Sequence, residues 1–600
     1  MHHIFRIVKI ALNYKYRLIF AYVCTAGAMI AYVYLPRFFG DAIDDIAQPL
    51  MLDEPISESA VLKSVIIIMI LGVVRGVLSY GQTYLAESLS QYVSYDLRNR
   101  FYDHVQHQSF SFHDSYHTGN LMSRAITDVE NIRMFINMGL VRAPYFVGLF
   151  IIVATVLLIA DWKLGLLSIS FMPIVALYTS SVRLKMRALW LQVQEKMAEL
   201  STILQENFSG MRVVKSFASE RHEEVKFSYK NQEVQEIYIK AERLRASSTS
   251  FMLFSFLVSI GLILWYGGRQ VISGTMTPGD LAEFIFYLQI LAMPVRMSGW
   301  LVNSYARAAS AGERMFEVLD TKSPVVEKKN AILMPRPKGH VVFENVSFSY
   351  DGKREVLTDL NIKASPGEVI ALLGGPGSGK TSIINLLPRF YDPTKGRILV
   401  DGADIREYEL KSLRANVGVV QQDVFLFTTT LRENVAYGNE NSEEDEIRKA
   451  TDIAQMTPYI DSLDDGFDTY VGERGSTLSG GQRQRMSIAR AVLLDPPVLV
   501  LDDSTSSVDA QTEDDIRKAM ESVMEGRTTF VIANRLSTVH KADRIIVLES
   551  GKIIEEGTHN ELLNRQGHYK EIYDLQLKPQ EEVLRDINLA TGPMEGGIAQ

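Results

Sequence analysis

Cysteine is almost absent from this chain of 600 residues, which contains only Cys24. A single thiol allows no intrachain disulfide and no zinc site built from thiolates. Cys24 lies in an apolar run, where we expect it to be a small buried side chain. The sequence also lacks an excess of basic residues, since 62 Lys and Arg stand against 71 Asp and Glu. With a net charge of −9 and no basic stripe to offset it, a nucleic-acid partner is not expected.

The first residues, MHHIFRIVKIALNYKYRL, contain basic side chains but no small-residue cleavage site. A secretory signal peptide carries such a site after its apolar core. We therefore interpret this segment as a retained cytosolic lead-in.

Long apolar runs are abundant in the first 310 residues, although hydrophobic residues make up only 47% of the whole chain. A helix crosses a bilayer with about 20 predominantly apolar residues. Runs near that length occur six times, at residues 18–35, 65–80, 143–160, 164–182, 251–266 and 281–301. They predict an all-α transmembrane domain with six helices.

The segments between these runs differ in length and charge. Two long polar connections, residues 81–142 and 183–250, are rich in Arg and Lys, whereas residues 41–60 carry Asp and Glu without Lys or Arg. Cytosolic loops of membrane proteins carry an excess of Lys and Arg. We therefore expect the N-terminus, both long connections and the C-terminal half to be cytosolic.

Two arginines, Arg75 and Arg296, interrupt the apolar runs. A cation at the centre of a membrane helix costs about 2.5–3.5 kcal/mol on insertion scales, so each is expected to face protein or a wet cavity. Contact with a substrate or gate and a purely structural role are both open for these two residues.

A nucleotide-binding pattern follows in the second half of the chain. In VIALLGGPGSGKTSIINLLPRF, residues 369–390, an apolar strand, a glycine-rich loop and an amphipathic helix succeed one another. The loop matches G-x-x-x-x-G-K-[ST], whose backbone N–H groups surround phosphate oxygens at a helix N-terminus. Lys380 is expected to reach the β- and γ-phosphates, and Thr381 to bind Mg²⁺. The candidate nucleotide-binding residues here are Gly374, Gly375, Gly377, Ser378, Gly379, Lys380 and Thr381.

The apolar strand PPVLVLDD supplies a second part of this site. It ends in Asp502, whose carboxylate can hold Mg²⁺ directly or through water. A phosphate-binding loop and an aspartate alone leave GTPases, kinases and helicases open.

The segment LSGGQRQRMSIARA, residues 478–491, resembles the signature of the ATP-binding cassette (ABC) transporters. In that family the signature opens a helix and binds the γ-phosphate of an ATP held by the opposite cassette. The resemblance implies an α/β P-loop cassette, ATP and Mg²⁺ as ligands, and a dimer of cassettes. The residues that match the signature are Ser479, Gly480, Gly481 and Gln482.

Further positions match the family in order. Tyr350 corresponds to the aromatic residue that stacks on adenine, and Gln422 to the glutamine that contacts Mg²⁺ and senses the membrane domain. Residues 473–475 and 506–509 resemble a loop that contacts the membrane domain and a loop at the cassette dimer interface. Residues 112–132 and 205–224 resemble cytosolic turns through which such a membrane domain contacts the cassettes.

The resemblance covers nearly the whole chain and is that of an exporter half-transporter. It implies a transmembrane domain at 1–317, a linker at 318–339, a cassette at 340–577 and a tail at 578–600. The expected partners are the lipid bilayer, a second half-transporter and a small amphipathic substrate such as a drug, lipid or peptide. We expect a multi-pass protein of the bacterial plasma membrane with its cassette in the cytoplasm.

Two positions depart from the family pattern. Asp503 stands where a catalytic glutamate is usual, and Asn534 where a histidine usually contacts the γ-phosphate. Both changes affect the ATP held by Lys380 and Asp502, whereas the signature is intact. This asymmetry predicts a heterodimer in which this chain's own ATP site is degenerate. A slow homodimer and an ATP-gated regulatory or channel-like protein are the alternatives.

Overall fold

The structure, a computed structural model, describes residues 2–53, 55, 57–503, 510–533 and 536–578. The chain divides into two compact units. Residues 1–106 and 118–321 form the first unit, and residues 107–117 and 322–600 form the second.

The described part of the first unit is helical throughout. Apolar residues dominate the bilayer-length segments of its long helices, and six of these are long and apolar enough to cross a membrane among the residues described. This confirms the six predicted spans. The helices are α1 (His2–Ala11), α2 (Lys15–Leu52), α3 (Glu58–Gln106), α4 (Phe110–Ser115, which belongs to the second unit), α5 (Thr118–Ser123), α6 (Val129–Met134), α7 (Ala143–Ala160), α8 (Trp162–Ile169), α9 (Phe171–Ser209), α10 (Met211–Ser216), α11 (Glu220–Ile272) and α12 (Pro278–Asp320).

Short irregular turns join some of these helices into longer spans. A 3₁₀ turn, Leu12–Tyr14, connects α1 to α2, and π-helical turns, Arg124–Asp128 and Phe135–Arg142, lie on either side of α6. An apolar core that includes Leu149, Leu164 and Leu288 packs the helices together. Large apolar side chains such as Ile159 remain exposed on the outside, as expected for helices surrounded by lipid.

The second unit is an α/β domain built on two sheets. One is four-stranded and antiparallel in the order β2-β1-β4-β5, and the other is six-stranded in the order β10-β9-β3-β8-β7-β6 with only β10 antiparallel. The strands are β1 (Val341–Phe348), β2 (Leu357–Ala364), β3 (Val369–Leu373), β4 (Lys395–Val400), β5 (Ala403–Asp404), β6 (Val417–Val420), β7 (Val498–Asp503), β8 (Thr528–Ala533), β9 (Arg544–Glu549) and β10 (Lys552–Gly557).

Helices cover the faces of the six-stranded sheet, whose central strands are almost continuously apolar because both of their faces are buried. These helices are α13 (Lys380–Leu386), α14 (Leu410–Asn416), α15 (Leu431–Val435), α16 (Glu444–Ile453), α17 (Thr457–Asp461), α18 (Gly480–Leu494), α19 (Ala510–Met524), α20 (Leu536–Lys541), α21 (His559–Asn564) and α22 (His568–Ile572). Strands β3, β8 and β7 are parallel neighbours, so their carboxyl ends lie at one edge of the sheet, where ligands of such folds bind.

Candidate nucleotide-binding site

The loop between β3 and α13 has a backbone that only glycine adopts without strain. Gly374, Gly377 and Gly379 have φ angles of +148°, +75° and +103°. A Cβ on Gly374 would lie 2.3 Å from the carbonyl oxygen of Leu548, and one on Gly379 would lie 2.5 Å from Leu357 Cδ2. The glycines therefore let the loop curl tightly ahead of α13, as a phosphate-binding loop must.

Lys380 lies across this loop. Its ammonium donates hydrogen bonds to the carbonyl oxygens of Gly374 at 2.7 Å and Gly375 at 2.9 Å. Burial lowers the pKa of Lys380, and the carboxylate of Asp502 opposes that shift. Ser378 is buried beside it and Thr381 is exposed in the first turn of α13. The predicted phosphate and metal residues of this segment are thus brought together.

Asp502 is half-buried near the end of β7, at the sheet edge where the loop after β3 begins. A carboxylate and a threonine hydroxyl are hard oxygen donors of the kind that Mg²⁺ takes, usually with waters and phosphate oxygens completing its shell. The residues present therefore fit Mg²⁺. Among the described residues there is no cluster of three or more His, Cys, Asp and Glu that could hold a metal by itself.

Several predicted site residues fall outside what the structure describes. Asp503 is the last residue of β7 and pairs with Ala533 of β8, but its side chain is not described. Asn534, residues 506–509 and the side chain of Arg296 also lie outside the described residues. Gln422 is exposed in the loop that follows β6.

Tyr350, the predicted adenine contact, is exposed over 47% of its surface just after β1. Its hydroxyl shares a hydrogen bond of 3.0 Å with the Ser382 hydroxyl on α13. Its ring meets Phe348 and Tyr391 edge-on, at centroid distances of 4.7 and 5.1 Å. These contacts fix the position of the ring near the phosphate-binding loop and leave part of it accessible to a flat ligand.

The signature segment forms the N-terminus of α18. The Ser479 hydroxyl accepts from the backbone N–H of Gln482 at 3.2 Å, and the Gln482 amide oxygen accepts from the Ser479 N–H at 2.8 Å. This is a reciprocal capping box. Gly480 is exposed in the first turn, so the helix presents free N–H groups and its positive end to an anion.

Gly481 and Arg485 tie α18 to α19. A Cβ on Gly481 would lie 2.1 Å from Thr512 Cγ2, so a larger residue fits only if the Thr512 side chain or one of the two helices shifts. Arg485 donates to the Asp515 carboxylate at 2.8 Å. These contacts with α19 hold the start of α18 in place, and with it the signature glycines.

Residues 112–117, the start of a turn that the resemblance places against the cassettes, lie in the same unit as the cassette. The segment 107–117, which includes α4, packs on the cassette within the second unit. Phe110 stacks on Phe390 with ring centroids 4.1 Å apart, and the Tyr391 hydroxyl donates to the Asp114 carboxylate. Burial and this hydrogen bond raise the pKa of Tyr391 above its ordinary value. The Tyr391 ring in turn contacts Tyr350.

Comparison with known proteins agrees with this arrangement. Residues 18–295 match the family model of the ABC transporter transmembrane region, and residues 357–506 match the ABC transporter family model. The chain is 38% identical over 579 residues to the ATP-dependent lipid A-core flippase of Syntrophus aciditrophicus, covering 96% of this chain and 94% of the relative.

Two further relatives extend this comparison. A Bacillus subtilis protein, YgaD, named provisionally as a multidrug export ATP-binding/permease protein, is 37% identical over 90% of this chain and 94% of its own length. The solved structure of a bacterial Atm1-family ABC exporter with ATP bound superposes with a TM-score of 0.73 at 28% identity, covering 94% of this chain and 98% of that one.

The fold and the site together define a membrane-bound, ATP-binding transport protein. The chain belongs to the ABC transporter family, and it is of the exporter type in which a six-helix membrane domain and an ATP-binding cassette form one chain. It is a multi-pass protein of the bacterial inner membrane with a cytoplasmic cassette, and its ATPase activity is coupled to transport.

Proposed function

We propose that this chain is one subunit of a heterodimeric ABC exporter that moves an amphipathic substrate out across the membrane. In this proposal its own ATP site binds ATP and hydrolyses it slowly, while its signature helix completes a competent site on the partner. The observation that carries the proposal is the pairing of Asp503 and Asn534 with an intact LSGGQ segment in one chain.

Asp503 differs from the usual glutamate in reach, and Asn534 differs from the usual histidine in the charge that it can carry. An aspartate is one methylene shorter than a glutamate, and a general base has to lie within about 2.6–3.2 Å of the proton that it removes. An error of about 1 Å in such geometry can cost about 100-fold in rate. Asn534 can donate a hydrogen bond but cannot carry a positive charge toward the γ-phosphate. Both changes weaken hydrolysis and leave binding to the loop intact.

The same site supports specific roles for its other residues. The loop from Gly374 to Gly379 would enclose the phosphates, Lys380 would neutralise the β- and γ-phosphates, and Tyr350 would stack on adenine. Thr381, Asp502 and Gln422 would provide oxygen ligands to Mg²⁺, which when bound offsets the phosphate charge. Ser479 and the N–H groups at the start of α18 would bind the γ-phosphate on the partner cassette.

The membrane unit contains a cavity that suits an amphipathic substrate. It has a volume of about 580 Å³, and its lining combines aromatic and polar side chains: Tyr32, Phe171, Phe256, Phe286, Thr249 and Gln289. Apolar walls with a few polar groups are typical of small-molecule sites. Arg75 lies beside it with its guanidinium 3.5 Å from the centroid of the Tyr32 ring. The lipid A-core flippase among the relatives favours a lipid-like substrate.

The cytosolic turns support a dimer. The turn around α10 exposes Phe208, Val213 and Phe217 over 70%, 60% and 77% of their surfaces. This apolar cluster lies in the segment that resembles a turn contacting a cassette, and exposed clusters of this kind mark interaction sites. ABC exporter half-transporters work as dimers, and a heterodimer is the form that the asymmetric ATP site favours.

The test begins with the full chain purified alone and together with any second half-transporter that an adjacent reading frame is found to encode. We expect the pair to show substrate-stimulated ATP hydrolysis and transport into inverted vesicles. In the pair, Asp503→Glu combined with Asn534→His should raise turnover, because it restores a second general base. The matched control, the same double substitution with Lys380→Ala, should remove the gain. A dimer of this chain alone with ordinary ATPase rates contradicts the heterodimer and supports a homodimer.

A regulatory or channel-like protein is the alternative class. It would open a pore when ATP binds and would show no stimulation of hydrolysis by a transported substrate. Planar-bilayer recordings of the purified complex distinguish the two, because ATP-dependent single-channel currents without substrate stimulation contradict an exporter.

A further inference from the structure

A charged cavity lies at the cytosolic ends of three helices of the first unit, away from the nucleotide site. It has a volume of about 420 Å³ and is bounded by α1, the end of α3 and the end of α12. Three of its lining residues are cations and four are apolar: Arg6, Lys9 and Arg100, with Ile10, Leu97, Phe316 and Leu319. We call this space the α1 cavity.

The cations of the α1 cavity are not balanced by acidic residues in its lining. Arg6 is neutralised, since it donates to both carboxylate oxygens of Asp320 at 2.6 and 2.8 Å and lies 3.8 Å from the Phe316 ring centroid. Lys9 and Arg100 are exposed and form no ion pair within the part of the chain that the structure describes. The cavity therefore presents two cations that lie outside the described ion pairs, above an apolar floor.

The floor of the cavity is buried and rigid. Leu97 and Phe316 are exposed over 0% and 3% of their surfaces, and Ile10 over 9%. Arg6 connects α1 to the last residue of α12 through Asp320, and Tyr14 connects the following turn to α3 through a hydrogen bond of 2.9 Å to Asp96. The three walls are thus held together by contacts outside the open space between Lys9 and Arg100.

The position of α1 relative to the bilayer follows from its outer face. Phe5, Leu12 and Tyr16 are exposed over 70%, 50% and 70% of their surfaces, on the same lead-in that carries Arg6 and Lys9. Lys9 falls between Phe5 and Leu12 on this exposed stripe, where a long cationic side chain can reach the phosphate level while the apolar side chains enter the membrane interface. The first apolar span begins directly after it, at Leu18. The α1 cavity is therefore at the level of the head groups of the cytosolic leaflet.

We infer that the α1 cavity binds an anionic phospholipid of the cytosolic leaflet. Its phosphate lies between Lys9 and Arg100. Cations near an anionic leaflet attract its lipids by about 1 kcal/mol each, and basic pockets between membrane helices bind anionic head groups. The exposed apolar side chains of Phe5, Leu12 and Tyr16 on the same segment favour a lipid over a free phosphate ion.

The test measures lipid binding by native mass spectrometry on the full chain in its dimeric complex, in a neutral detergent. The probes are palmitoyl-oleoyl phosphatidylglycerol and phosphatidylcholine with the same chains. We expect phosphatidylglycerol to bind at lower concentration than phosphatidylcholine. Lys9→Gln combined with Arg100→Gln should weaken phosphatidylglycerol binding by about 5-fold for each cation removed and leave phosphatidylcholine unchanged.

The matched control removes two charges from the same helical segments outside the cavity, with Lys15→Gln and Arg98→Gln. It should keep the preference for phosphatidylglycerol. Lys9→Arg combined with Arg100→Lys should keep it as well, which shows that charge and not the folded state is responsible. If the double variant elutes as an aggregate on size exclusion, the single variants Lys9→Gln and Arg100→Gln are measured instead, and each should weaken phosphatidylglycerol binding.

Three outcomes overturn the inference. The first is equal binding of the two lipids by the unchanged protein. The second is an equal loss in the Lys9/Arg100 and Lys15/Arg98 variants, which would indicate a diffuse surface charge. The third is displacement of phosphatidylglycerol by inorganic phosphate at millimolar concentration, which would assign the site to a free anion.

Discussion

The phosphate-binding loop and the signature helix both prepare backbone N–H groups for a phosphate, but they are held in different ways. The loop depends on backbone conformations at Gly374, Gly377 and Gly379 that other residues rarely adopt. The start of α18 depends on side chains, through the Ser479–Gln482 capping box and the contact of Gly481 with Thr512. A methyl group on Gly374, Gly379 or Gly481 would meet a neighbouring atom at 2.5 Å or less, so both elements depend on glycine, but only the start of α18 is also fixed by a side-chain capping box.

The largest effect is expected at the signature. In Gly481→Ala the new Cβ would lie 2.1 Å from Thr512 Cγ2, and we expect α18 to shift relative to α19 to relieve this contact. A displacement of about 1 Å in a catalytic group can cost about 100-fold in rate. We expect the ATPase activity of the assembled transporter to fall by about that factor, measured by phosphate release.

A second substitution tests the steric explanation. Thr512→Ala removes the methyl group that the new Cβ would meet, so Gly481→Ala with Thr512→Ala should recover most of the activity, and Thr512→Ala alone is the control. If the double variant is as inactive as Gly481→Ala, the loss arises from the glycine itself and not from its packing.

The next largest effect is expected in the phosphate-binding loop, where one substitution distinguishes the contributions of the two ATP sites. Lys380→Ala removes a charged hydrogen-bond donor worth about 1.5–3 kcal/mol, so ATP affinity at this chain's own site should fall by about 10- to 100-fold. Labelling of this chain with a photoreactive ATP analogue measures that loss. If this site mainly holds ATP, turnover should fall much less than in Gly481→Ala. An equal fall in turnover would mean that the two sites contribute alike.

The membrane spans and the elements that surround the nucleotide site were correctly predicted from the sequence, because long apolar runs and the glycine-rich loop are local patterns. The capping box was also readable, since Ser479 and Gln482 stand three residues apart at a helix start. Two contacts could not be read in this way. Gly481 meets Thr512 and Asp114 meets Tyr391 only after distant segments pack together, and no local periodicity encodes such pairs.

The segment 107–117 illustrates this limit. It was predicted to lie within a membrane domain that spans 1–317, and its cytosolic turn was expected at 112–132. In the structure it belongs to the same compact unit as the cassette. The stacking of Phe110 on Phe390 and the hydrogen bond from Tyr391 to Asp114 join it to that unit, and no local sequence pattern pairs residues so far apart.

A smaller effect is expected at Tyr391, which links that segment to the ring of Tyr350. Tyr391→Phe keeps the aromatic contacts and removes the hydroxyl that donates to Asp114. Hydrogen bonds to charged groups contribute about 1.5–3 kcal/mol, reduced here because Asp114 can still reach water. We expect stimulation of ATP hydrolysis by substrate to fall several-fold, with the KM for ATP nearly unchanged.

The pair Tyr391→Phe and Asp114→Ala forms a double-mutant cycle. If the two residues act through their hydrogen bond, the double variant should lose no more stimulation than either single variant. Losses that add would show that each residue acts separately.

The smallest effect lies at the other end of the signature helix, where Asp495 follows α18. Its carboxylate accepts from Arg336 at 2.5 Å and Arg527 at 2.8 Å. Burial raises the pKa of Asp495, but these hydrogen bonds outweigh it and hold the pKa below its ordinary value. The folded-state pKa is depressed, so this interaction stabilises the cassette at neutral pH and is lost as the pH falls through that value.

Asp495→Asn tests this at constant backbone shape, because asparagine also tolerates the left-handed conformation that Asp495 adopts at φ +45°. The side chain of Asp495 is 54% exposed, so water screens the ion pairs and we expect a loss below about 1 kcal/mol. The melting temperature of the cassette transition in the full chain should fall slightly at pH 7 and converge with that of the unchanged protein below about pH 4. A difference that persists in acid would mean that Asp495 stabilises α18 by its cap geometry and not by its charge.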